Sequence, residues 1–437
     1  MSRLPLPPLL LAPLLGTLIA AADGRDAWLA AQVSAARTSD PALGAAIEEL
    51  LAFARTRNPR ILMAQSELDA ARARVPQARA LPRPDLALEA MGDAANEGER
   101  SLRLMQALPW PGTLGHRATE ADFQARASSH EMHGMILEVA SRIRTTAIEY
   151  AYLAKEAQLV TRNLDLYRKQ EAFLEQAART GGGVAELLRV EMESAMLTDQ
   201  LARIDEARLR ELTTLEALVG MPLPASLPSH LILAGEELPP SDATDPTADL
   251  PRRNPVLLAM ANRVEAARSG IRLARLDAYP EFTLGAGYRR TDERAMGGRR
   301  ESMNEAIVML SVTLPIWGPR NRGLRDEAAA LMNAALRQYD DAHRQATAQL
   351  RTLLSLERDA VRRARLFRDV LIPKARQVDE TIETAYRAGA ASLLDLFDAH
   401  RRLLDVEIGY WRALADLRIN QARIDSLFGP DTPATSP

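Results

Sequence analysis

The chain has 437 residues, and 55 Lys and Arg stand against 58 Asp and Glu, a formal charge of −3, which excludes the basic excess of a dedicated nucleic-acid binder. Aromatic residues at 4% are too few for an ordinary all-β sandwich, and 47% apolar with 26% charged residues excludes a disordered chain. The absence of cysteine excludes disulfides, thiol catalysis, Cys-ligated zinc and iron–sulfur clusters.

The first residues read as an address. Arg3 precedes an apolar run from Leu9 to Ala20, and Ala20-Ala21-Ala22 supplies a small-residue cleavage site. A signal peptide over 1–22 is therefore expected, followed by an exported N-terminal segment over 23–57. No later stretch reaches 18 consecutive apolar residues. The exported product is then either soluble or a membrane protein of β type.

A duplication follows. Asn58-Pro59 recurs as Asn254-Pro255, 196 residues later, and each pair opens an Ala/Arg-rich helix. Each helix ends before a proline, an acid and an alternating stretch: Pro84-Asp85-Leu86-Ala87-Leu88 and Pro280-Glu281-Phe282-Thr283-Leu284. A polar loop and a second alternating stretch lead to Leu108-Pro109-Trp110-Pro111-Gly112 and to Leu314-Pro315-Ile316-Trp317-Gly318. The first repeat is read over 58–220, with a strand hairpin at 84–109 and helices at 113–180 and 184–219. The second is read over 254–429, with a hairpin at 280–315 and helices at 320–388 and 392–428. The second polar loop, 290–304, is read as the longer and as facing water, like 93–100 in the first repeat. Seven prolines make 221–253 a linker. A disordered tail is expected over 430–437.

Leu86, Leu88 and Ala90 share one strand face, and Phe282, Leu284, Ala286 and Tyr288 another. Such stretches, about nine or ten residues long, suit tilted membrane-spanning strands. A soluble hairpin packed on helices is the alternative. In the long helices, Leu353, Leu356, Ala360, Ala364, Phe367, Leu371, Ala375, Val378, Ile382 and Ala385 form a coiled-coil seam. Pro373 should bend or interrupt it. Four strands cannot close a barrel, and lipid does not tolerate open sheet edges. Membrane-spanning strands here must be shared among chains: eight strands in a dimer, twelve in a trimer.

This ordered set resembles the TolC-type outer-membrane efflux proteins, over residues 41–429. The resemblance is carried by the two Asn-Pro helix starts, the two strand-to-helix corners, and the segment from Tyr386 to Asp398, where Tyr-x-x-Gly is followed by Ser392 and Asp395-Leu396. It implies a mostly α fold with a membrane β-barrel: a long helical coiled-coil tunnel, four strands per chain and a twelve-stranded barrel shared by a homotrimer. It places the chain in the outer membrane of a Gram-negative bacterium, with the tunnel and the 23–57 segment in the periplasm. The implied partners are outer-membrane lipid, a periplasmic adaptor and an inner-membrane pump of the resistance-nodulation-division class. The style is similar to the heavy-metal or cation branch. The function implied is a passive exit duct, gated at its periplasmic tip. A soluble periplasmic coiled-coil scaffold, or a duct for polypeptide secretion, are the competing readings.

The resemblance also implies sites. Asp395 and Asp398 lie three apart, on one helix face. In a trimer they would form stacked acidic rings that favour cations, with Glu186 at the same depth; a solvated acidic helix start is the alternative. Thr180, Gly181, Gly182, Gly183 and Val184, with Gly389, Ala390, Ala391 and Ser392, are the tip turns expected to meet the adaptor. Pro109, Trp110, Pro111 and Gly112, with Pro315, Trp317 and Gly318, mark the corners. The tryptophans suit either an aromatic belt or ordinary packing. His130 and His133 are a weak metal candidate, since their spacing is not that of a zincin helix. No phosphate-cradling loop or nucleophile elbow is present. The chain is therefore read as a non-enzyme without a cofactor.

Overall fold

The structure, a computed structural model, describes residues 43–92, 98–179, 183–224, 246–294 and 300–428. The segments expected as a signal peptide and a tail, and most of the linker, lie outside the described residues. Helix α1 (Leu43–Arg57) leads into α2 (Pro59–Arg79), β1 (Asp85–Gly92), β2 (Gly98–Leu108), α3 (Thr113–Ala178) and α4 (Val184–Val219). A short 3₁₀ turn, Pro246–Asp249, and one helical turn, Leu250–Arg253, close the linker. Its last eight residues are therefore helical, despite Pro246 and Pro251. The second series is α5 (Pro255–Leu276), β3 (Glu281–Arg294), β4 (Arg300–Thr313), α6 (Gly318–Leu366), α7 (Ile372–Arg387) and α8 (Leu393–Leu427).

The 66 residues of α3 make a rod of about 100 Å at 1.5 Å per residue. Near the sheet, packing neighbours run α2, α3, α5, α6; away from it they run α4, α3, α8, and then α6 with α7. So α3 and the α6–α7 rod pass through both levels, while α2 and α4, and α5 and α8, meet end to end.

Those two meeting points are built alike. The Asn58 side chain accepts from the Arg60 and Ile61 amides (2.9 and 3.4 Å), and its own amide donates to the Leu218 carbonyl at 2.6 Å. Asn254 accepts from the Leu257 amide (3.0 Å) and donates to the Leu427 carbonyl at 3.0 Å. Each asparagine caps a helix start and satisfies an orphan carbonyl at the neighbouring helix end, from a site only 2% and 3% exposed. Ile61, Leu215 and Val219 pack the first joint, with Val139 and Ile143 of α3. Leu257, Leu350, Leu353 and Leu427 pack the second.

The interruption expected at Pro373 is a π turn, Phe367–Leu371, in which the Ile372 amide donates to the Phe367 carbonyl. Proline has no amide and clashes with the preceding turn, and a widened turn just before it relieves both. Phe367 lies against Gly409 of α8, where even a methyl group would meet its ring at 2.6 Å. Ala360, Val361 and Ala364 are buried, whereas Leu356 and Val378 of the expected stripe are exposed.

The sheet order is β1-β2-β3-β4, all antiparallel. The second loop is shorter than its sequence suggests. Most of its extra residues lengthen β3 and β4 to 14 residues each, so Arg290–Arg294 and Arg300–Asn304 are strand.

Candidate functional site

The register sorts the sheet residues onto two faces. Leu86, Leu88, Leu102, Leu104, Phe282, Leu284, Tyr288, Val308, Leu310 and Val312 fall on one face. Most are exposed, Val308 to 87%. The other face carries Glu89, Glu99, Arg103, Arg289 and Glu305, with Gly285 and Gly287. Arg103 pairs with Glu89 there, and Arg289 with Glu99 at 2.8 Å. An apolar face against a charged one is the pattern of a barrel wall between lipid and water. No described helix is long and apolar enough to cross a membrane.

At the first corner Gly112 has φ 93°, a left-handed turn that favours glycine. Trp110 stacks on Tyr279 (4.8 Å) and Phe282 (6.1 Å), tying the first repeat's corner to the second repeat's strand. Pro109 and Pro111 flank it. At the second corner Trp317 is 67% exposed, beside exposed Leu314 and Ile316. The Asn321 side chain donates to the Pro315 carbonyl at 3.0 Å, and α6 starts at Gly318. One tryptophan is therefore packed and the other presented.

The second-repeat tip is closed by two local devices. Gly389 has φ 74°, and the Ala390 amide donates to the Ala385 carbonyl at 2.8 Å, ending α7 in a Schellman turn before Ala391. Ser392 then caps α8. Its amide (3.0 Å) and hydroxyl (2.6 Å) donate to the Asp395 carboxylate, while the Asp395 amide donates to the Ser392 hydroxyl at 3.2 Å. These bonds hold the Asp395 carboxyl below its usual range. Asp395 and Asp398 are both exposed. Beneath Asp398, Tyr167 of α3 stacks on Phe397 at 4.6 Å. Burial pushes the Tyr167 hydroxyl up, with the Glu193 and Asp398 carboxylates adding to the shift.

The first-repeat tip is plainer. Gly183 has φ 77° and offers no side-chain cap to α4. Val184 and Glu186 are exposed in its first turn. Thr180, Gly181 and Gly182 lie outside the described residues.

His130 and His133 sit on α3, where it packs against α5. Glu131 between them pairs with Arg263. Burial, then His133, lowers the His130 pKa. Among the described residues no cluster of three or more His, Asp or Glu is placed to hold a metal.

One polar group escaped the sequence reading. Glu407 of α8 is buried, pairing with Arg162 of α3 and, at 3.1 Å, with Arg376 of α7. His400 of α8 meets Asp379 of α7 at 2.5 Å in the same cleft. The signal was a charge on an apolar stripe, Leu404, Glu407, Trp411, Leu414.

Residues 249–430 match the family described as Outer membrane efflux protein. The chain is 23% identical over 400 residues to the cobalt-zinc-cadmium resistance protein CzcC of Cupriavidus metallidurans, covering 88% of this chain and 90% of CzcC. It is 24% identical over 407 residues to outer membrane protein TolC of Vibrio cholerae, again covering 88% and 90%. The open-state MtrE outer membrane channel of Neisseria gonorrhoeae superposes with TM-score 0.74 at 18% identity, covering 88% of each chain. TolC is named an outer membrane protein and MtrE an outer membrane channel. The landmarks repeated in both halves, the family match across the second half and the fold shared along most of the chain make this chain similar to the TolC-type outer-membrane efflux proteins.

Proposed function

We propose that three copies assemble into one exit duct, gated at the helical tip by acidic rings and docked there to a periplasmic adaptor and an inner-membrane pump. The observation that carries this is the sheet: one face exposed and apolar, the other charged, with β1 and β4 each paired on one side only. Unpaired edges cannot remain in lipid, so copies must pair β1 to β4. The charged face calls for a watered lumen. Eight strands enclose only side chains, whereas twelve leave a channel, which favours three copies over two.

The helices support the same count. Val184, Leu188, Met192 and Met196 leave an apolar stripe exposed along α4, at one end of the row of packed helices, and Val370 and Val378 are exposed at the other. A neighbouring copy would cover both. Exposed Asp395 and Asp398, repeated three times, would line the narrow end with negative charge, with Glu186 beside them. The tip turns Gly183–Val184 and Gly389–Ser392 present small residues to an adaptor's helices. The cargo reading is a metal cation, supported by the likeness to CzcC along most of both chains.

The test is mass in mild detergent followed by planar-bilayer recording. A trimer with cation-preferring conductance is expected. A stable monomer, or a trimer without conductance, overturns the reading.

A further inference from the structure

The apolar face of the sheet ends in arginine. Beyond Leu102 and Tyr288, towards the hairpin turns, the same face continues with Arg100 and Arg290, which the β2–β3 register sets directly opposite each other. Four residues further along β3 it sets Arg294 opposite Arg300. Like charges facing across a strand pair destabilise a sheet. Among the described residues one carboxylate answers on this face: Asp292 accepts from Arg290 at 3.1 Å. Arg100 has no acidic partner among the described residues. Arg100 and Arg290 line a groove of about 370 Å³ together with Leu88, Ala90, Ser101, Leu102, Tyr288 and Glu89, whose carboxylate pairs with Arg103 on the other face. All eight residues come from β1, β2 and β3 of one chain, so the groove needs no neighbouring copy.

An apolar groove ending in paired cations has the shape of an amphiphile with an anionic head. The strand ends at Gly92, Gly98, Arg294 and Arg300 lie at the opposite end of the sheet from the helices. With the helices periplasmic, the arginines stand at the level of the outer leaflet. We infer that this groove binds a phosphorylated lipid of the outer leaflet, the phosphate bridging Arg100 and Arg290 and an acyl chain lying over Leu88, Leu102 and Tyr288. Guanidinium forks match phosphate oxygens in pairs, and that contact is strongest where water is scarce. The bound phosphate removes the repulsion between the two arginines. The lipid thus becomes part of the wall that holds the two repeats' hairpins together at β2–β3.

The test is native mass spectrometry of the full protein in mild detergent, with diphosphoryl lipid A added as the probe. The expected result is discrete lipid adducts, up to one per chain. R100Q/R290Q should weaken them by about tenfold, and lipid A stripped of its phosphates should bind wild-type protein about tenfold less. Equal retention by the variant, or equal binding of the stripped lipid, overturns the proposal. Displacement of the lipid by equimolar inorganic phosphate would assign the groove to a free anion and overturn the lipid reading. Should R100Q/R290Q fail to fold, the two lipids on wild-type protein still decide. The oligomer mass is read from the same spectrum independently of adducts, so loss of the trimer and loss of the lipid are separate outcomes.

Discussion

The two joints of this molecule are alike and its two tips are not. At each joint a buried asparagine caps a helix beginning with proline and donates to a carbonyl of the helix end stacked against it. At the tips the correspondence that relates Leu218 to Leu427 pairs Gly183 with Ser392, Glu186 with Asp395 and Arg189 with Asp398. The second tip has a capping box; the first has a glycine that cannot form one. The acid one turn into α8 is answered by a base in α4. Duplication has kept the device that stacks two helices, because both halves face the same buried carbonyl. Where the ends are exposed, the halves have been free to differ. In the proposed gate, unlike tips let one helical hairpin move while the other stays in place.

The strongest test of the likeness is to remove both asparagines. Asn58→Ala or Asn254→Ala loses a cap and strands a buried carbonyl, at about 2 kcal/mol each. The joints are separate packing clusters, so the double variant should lose about 4 kcal/mol, read as a fall in the thermal midpoint of the helical circular dichroism. Asn→Asp keeps the capping oxygen and loses the donor, dividing the two contributions. A silent Asn58→Ala beside a costly Asn254→Ala would mean that the joints only look equivalent.

The next test sharpens the difference between the halves. Glu407 ties α8 to both α3 and α7, whereas its first-repeat counterpart Thr198 only donates to the Ser194 carbonyl of its own helix. Glu407→Gln leaves two guanidiniums facing each other. The cost should be about 2 kcal/mol, less than for a fully buried pair because both arginine side chains are 59% exposed. Faster proteolysis of the second-repeat tip and a higher open probability in bilayers are expected, with Thr198→Val near wild type in both. Equal behaviour of the two variants would deny Glu407 any part in holding the tip.

Much of this was legible in the residues because duplication prints each landmark twice. The Asn-Pro starts, the strand alternation and the corners are local rules of capping, pleat and proline, and they need no knowledge of what packs where. The π turn was half legible: Pro373 announces a break, but its widened form depends on Phe367 meeting Gly409 across the helix pair. The polar ends of β3 and β4 read as loop because 290–294 is polar at every position, which leaves no apolar alternation to mark a strand. Glu407 stayed hidden for a different reason. A buried charge is tolerated only with partners, and Arg162 lies 245 residues away in sequence.

The smallest expected effect is the most specific, because Asp395 has two duties that can be separated. Its carboxylate closes the capping box with Ser392, and its charge is proposed for the acidic ring. Asp395→Asn keeps an oxygen for the Ser392 amide and hydroxyl and removes the charge; Asp395→Ala removes both. Bilayer recordings at neutral pH should show reduced cation preference in both variants, and in Asp398→Asn. Only the alanine variant should also show a tip more open to protease. The pH dependence has a definite sign. Hydrogen bonds from Ser392 hold the folded pKa below the ordinary value of about 3.8, so the stabilisation is complete above that value and fades as pH falls through the folded pKa. Tip protection should therefore be flat from about pH 5 upward and decline only below about pH 4, and it should lose that acid decline in Asp395→Asn. Unchanged selectivity in Asp395→Asn, together with loss of tip protection in Asp395→Ala, would leave Asp395 a cap alone and move the ring to Asp398.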